Sequence, residues 1–97
     1  MAISKRTLIE RIDRFIGAME KARRVPDGWE GPCLRQALAD LAREDVPRAE
    51  AMMILAKTTP EHRTSDHPPD VATDAPLPTL GELRAQLQSV KDNQLAA

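Results

Sequence analysis

The stretch LAREDVPRAEAMMILAK, residues 41–57, decides the fold. Leu41 and Ala42 close one apolar-periodic segment, and Asp45 opens another. An Asp at such a boundary accepts backbone N–H groups that the first turn of a helix leaves without partners. Pro47 suits that same turn, because its missing N–H would have had no intrahelical acceptor. Beyond it, Ala49, Met52, Met53, Ile54, Leu55 and Ala56 make a segment apolar over most of its circumference. Such a helix is expected to lie among neighbours rather than at an edge. Two helices with a short polar turn between them make an antiparallel helical hairpin.

Upstream, the first arm of that hairpin carries Leu34, Leu38 and Leu41, with Ala37 and Ala42 beside them, and is expected to open at Gly31 or Pro32. Pro26-Asp27-Gly28 before it has turn chemistry, Pro fixing φ and Gly permitting a positive one. Earlier still, Leu8, Ile12, Phe15, Met19 and Ala22 recur at alternating steps of four and three, and Ile9 and Ile16 widen the stripe. That spacing predicts an amphipathic helix. Ser4 or Thr7 is placed to cap its start, while Arg23 and Arg24 suit the negative end of its dipole. Residues 1–57 are thus read as a three-helix unit.

Downstream the composition changes. Residues 1–57 hold 28 of the 40 hydrophobic side chains, whereas residues 58–78 hold four, together with five of the eight prolines. A segment so poor in apolar surface cannot offset its chain entropy, and a flexible Pro-rich linker is expected there. In residues 79–97, Thr79 and Glu82 stand at capping-box spacing. Leu80, Leu83, Leu87 and Val90 follow at steps of three, four and three. This narrow seam predicts a C-terminal amphipathic docking helix, which is too short to stand alone in water. Its own domain and another chain are equally open to it. The predicted class is all-α.

Composition excludes several functions. The chain has 97 residues, with 14 Lys and Arg against 15 Asp and Glu for a net charge of −1. A general polyanion binder is usually clearly basic. One Cys rules out a disulfide framework or a Cys-rich zinc module. Two aromatics and no Tyr disfavour a β-sandwich or barrel. No apolar run approaches the ~20 residues of a membrane span, and Lys5, Arg6, Glu10 and Arg11 interrupt any signal-peptide core. The expectation is a cytoplasmic protein with a reduced thiol.

Few residues offer chemistry, and each has a plainer reading. Cys33 falls in the first turn of the second predicted helix, where the dipole favours a thiolate; a small buried apolar residue is the commoner case. Glu61, His62, Asp66, His67 and Asp70 cluster in the Pro-rich segment, but their spacing matches no standard zinc signature. Lys5, Arg6, Arg11 and Arg14 give the first helix a basic face that a nucleic acid or an anionic membrane surface would attract, although Glu10 and Asp13 interrupt it. Trp29, in the loop DGWEGP, is either an interface anchor or a lid over the core. The expected function is therefore that of a small non-catalytic accessory or adaptor protein, oligomeric or part of a larger complex. Its partner, or a second copy, is expected to meet Leu80, Leu83, Leu87, Val90 and Trp29. The alternative is a small dimeric nucleic-acid-binding regulator using Lys5, Arg6, Arg11 and Arg14. No catalytic residue, cofactor or metal ligand is expected.

Overall fold

A computed structural model describes residues 3–63, 65, 68, 71 and 76–96, the side chains of 94–96 excepted. Four helices follow one another: α1 (Lys5–Lys21), α2 (Glu30–Ala42), α3 (Val46–Ala56) and α4 (Leu80–Ala96). A short 3-10 turn, Pro60–His62, lies between α3 and α4. Among the described residues there is no strand. The all-α class expected from the sequence is the class observed.

Capping chemistry sets the helix starts. Ser4 Oγ accepts the backbone N–H of Thr7 at 3.1 Å, and Asp45 Oδ1 accepts that of Arg48 at 3.4 Å. Thr79 Oγ1 accepts the N–H of Glu82 at 3.1 Å. Helix α2 opens at Glu30, slightly ahead of the expected start. The cause is Asp27, whose Oδ1 accepts the N–H groups of Trp29 at 2.9 Å and Glu30 at 2.7 Å. Two helix ends use left-handed residues without glycine: Arg23 has φ 54° after α1 and Glu44 has φ 64° after α2. At each, a backbone bond reaches back five residues, Arg24 N–H to Met19 at 2.9 Å and Asp45 N–H to Asp40 at 2.8 Å. This is the wrap that closes orphan carbonyls at a helix terminus.

The packing is a ring. Helix α1 meets α3 and α4, and α2 meets the same two, with α2 against α3 the most extensive contact. Leu8, Ile9, Ile12, Ile16 and Met19 of α1 are buried. Phe15 is only half-buried and Ala22 is exposed, because the buried stripe turns toward Ile9 and Ile16. Helix α3 was the expected centre, yet Ile54 on its outer side is 59% exposed. The most enclosed helix is α2, with Cys33, Leu34, Ala37, Leu38 and Leu41 all fully buried.

Two charged residues are buried, Glu30 and Asp40, and Asp40 is the more enclosed. Asp40 is fully buried and accepts hydrogen bonds on Oδ1 from Gln36 Nε2 at 2.9 Å and from Arg43. Its Oδ2 faces Arg48 Nε at 3.4 Å, so the carboxylate joins the end of α2 to the start of α3. The segment 58–78, expected to be a loose linker, is only partly described. Within the described part, Arg63 Nε donates to the Thr58 carbonyl at 3.1 Å, and Pro68 and Pro78 are buried. Pro78 packs so closely on the first turn of α2 that a Cβ on Gly31 would lie 3.0 Å from its Cδ.

Candidate functional site

Leu83, Leu87 and Val90 are buried in the common core, and Leu80 packs at its margin. The seam expected to dock is thus seated on the chain's own α1 and α2. Polar contacts fix the register of α4. Arg84 binds Asp13 at 2.5 Å and Glu20 at 2.6 Å, and Lys91 Nζ binds the other oxygen of Asp13 at 2.6 Å. On the α2 side, Gln86 Nε2 donates to the Arg35 carbonyl at 3.1 Å. Lys91 and Arg84 hold the Asp13 carboxyl below its ordinary range against the opposing effect of burial, and Arg84 does the same for Glu20. A carboxylate with a depressed folded pKa stabilises at pH above its unfolded value, about 4, and that contribution fades as pH falls through the folded one. Acid titration of the wild type should therefore lose stability below about pH 4 more steeply than Arg84→Met. Parallel curves from denaturant midpoints would refute the assignment.

Trp29 takes the lid position. It is 2% exposed, its Nε1 donates to the Leu55 carbonyl at 2.7 Å, and the Arg63 guanidinium stands 5.3 Å from the ring centroid. Arg63 also pairs with Asp27 at 3.2 Å. Burial pushes the Asp27 carboxyl up, but the Glu30 and Trp29 N–H groups and Arg63 outweigh it and leave the group below its usual range.

Cys33 is buried beside this corner, and desolvation pushes its thiol up to about 12. A buried, protonated thiol is a poor nucleophile. In native protein at pH 8, a thiol-specific reagent should label Cys33 only at the rate of unfolding. Cys33→Ala should keep the fold, with a change of about 1–2 kcal/mol. Labelling as fast as in denatured protein would contradict this packing.

The basic side chains of α1 divide into two groups. Lys5 Nζ pairs with Glu44 at 2.6 Å, and Arg6 stands 3.7 Å from Glu10. Arg11 and Arg14 have no ion-pair partner among the described residues. With Phe15 and Lys57 they line an open groove of about 350 Å³ beside α1, at the C-terminal end of α3. Arg14 also borders a depression of about 360 Å³ with Glu10 and Asp13. Periodicity assigned Phe15 to the core and gave no place to Lys57. The half-exposed ring was the one available signal, and it arises only from the rotation of the stripe.

Of the acidic and histidine cluster, Glu61 and His62 are exposed, with His62 Nδ1 2.7 Å from Thr59 Oγ1. Asp66, His67 and Asp70 lie outside the described residues. Among the described residues no group of three or more His, Cys, Asp or Glu is placed to hold a metal. No helix of the described residues is long and apolar enough to cross a membrane. No family model matches the chain, and neither the curated proteins nor the solved structures give a match.

Proposed function

We propose that the chain is a non-catalytic cytoplasmic adaptor that joins an assembly by helix docking on α1 and the C-terminal end of α3. The observation that carries this reading is the groove in which half-buried Phe15 is flanked by Arg11, Arg14 and Lys57. Aromatic and Arg side chains are enriched where proteins meet, and covering such a ring removes apolar surface from water. The free, fully buried thiol of Cys33 fits a reducing compartment. The seam of α4 is occupied within the chain, whereas the α1 groove is open.

A second reading, nucleic-acid binding, draws on the same Arg11 and Arg14, which lack an ion-pair partner among the described residues. Lys5 and Arg6 support it less, because Glu44 and Glu10 already face them. A photo-crosslinking residue in place of Phe15, used in the native host, separates the two. A discrete protein adduct that is absent when the probe replaces exposed Gln88 supports the adaptor. A nucleic-acid adduct favours the second reading, and no adduct at either position counts against both.

A further inference from the structure

Helix α1 already receives one helix, and the terms are explicit. Toward α4 it presents Asp13 and Glu20, two turns apart on one edge. Helix α4 answers with Arg84 and Lys91, also two turns apart, while Leu83, Leu87 and Val90 enter the core beneath. The opposite edge of α1 bears Arg11 and Phe15, one turn apart, with Arg14 beside them and Lys57 contributed from the end of α3. The layout of that second edge is similar, an apolar centre with charged flanks. Its sign is reversed.

We propose that this groove binds an acidic amphipathic helix of a partner protein, which lays an apolar side chain on Phe15 and sets carboxylates against Arg11, Arg14 and Lys57. The inference rests on the adaptor reading and specifies its partner. Charge complementarity selects the occupant: three cations without partners among the described residues surround the ring, and guanidinium groups pair well with carboxylates. A phosphate backbone fits less well. It would have to continue past Glu10 and Asp13, which border the neighbouring depression with Arg14. A helix can place its carboxylates one at a time and avoid them.

The test uses the full chain and fluorescence anisotropy with labelled probes. The first is a synthetic helix-forming peptide of about 20 residues, long enough to hold helical form, with Glu flanking a Leu stripe. Its companions are the same peptide with Leu replaced by Gln, the same with Glu replaced by Lys, and a single-stranded DNA oligonucleotide. The acidic Leu peptide should bind roughly ten-fold or more tightly than either altered peptide, the scale of several exposed ion pairs for the Lys peptide and of lost apolar burial for the Gln peptide. Arg11→Glu with Lys57→Glu should abolish that binding and gain affinity for the Lys peptide. Arg11→Gln with Lys57→Gln repeats the loss without charge reversal should the first variant fold poorly. Tighter binding of the oligonucleotide would overturn the proposal, as would equal binding of the acidic peptide to wild type and variants. So would a concentration-dependent dimer, seen by sedimentation, that excludes the peptide. If the peptide fails while a probe at Phe15 still yields a discrete protein adduct, the acidic-helix inference falls and the adaptor reading stands. If both fail, both readings fall.

Discussion

Leu83→Asp is expected to free α4 from α1 and α2 and to lower the stability of the whole chain by several kcal/mol. Leu83 is fully buried, so a carboxylate there is either buried without a partner, at a cost of that order, or drives the helix off its seat. Undocking is not free either. It uncovers the faces of α1 and α2 that α4 packs on, and a three-helix remainder of about 60 residues buries only about 60% of its unfolded surface. The variant should therefore show a lowered denaturant midpoint, rapid amide exchange throughout α4 and a tendency to self-associate. Leu83→Met, which keeps volume and apolarity, should cost less than about 1.5 kcal/mol. If Leu83→Asp unfolds at the wild-type midpoint, α4 does not dock through this seam.

Trp29→Ala should cost about 3–5 kcal/mol, the range for deleting a buried large aromatic. The variant would also release the Leu55 carbonyl from its 2.7 Å donor and leave Arg63 without its ring. Trp29→Phe separates these contributions. It keeps most of the apolar volume and should cost about 0.5–1.5 kcal/mol for the one hydrogen bond lost, since the Leu55 carbonyl still accepts the Thr58 N–H at 3.1 Å. Trp29 is the only Trp, so its emission should be blue-shifted in the folded chain and move to longer wavelength on unfolding. Denaturation followed by circular dichroism gives the energies for both variants. A Trp held for partner contact would show almost no stability cost on truncation, and that result would remove Trp29 from the core.

These outcomes bear on what the sequence made legible. Local grammar was readable: Ser4, Asp45 and Thr79 each cap the helix they were expected to cap, and the steps of three and four in α4 mark the residues that are buried. A seam announces that it will be covered, but not by what. The coverer of α4 was settled by Asp13 and Glu20, some 64 to 71 positions away, which no local pattern connects to Arg84. The same limit explains α3. Its apolar circumference suggested a central helix, yet helix order in the ring is a tertiary property, and α2 took the enclosed position. Asp40 is not legible in the sequence, since an Asp near a helix end looks solvated until Gln36, Arg43 and Arg48 converge on it. Lys57 and the half-exposed Phe15 come to line one groove only where two helices meet.

The clasp of α4 on α1 also bears on time. Asp13 is bound by residues 71 and 78 positions along the chain, whereas Asp40 gathers Gln36 and Arg43 from within its own turn or the next. Contacts so distant in sequence are reached only after a long loop has closed, while the α2–α3 hairpin can organise locally within microseconds. The hairpin should accordingly be formed in the folding transition state and the Arg84 cluster absent from it. Arg84→Ala should then steepen neither chevron arm and leave the refolding rate nearly unchanged, with its whole effect appearing as faster unfolding. The ion cluster would thus govern how long a native molecule persists once made, and have little say in how quickly it is made.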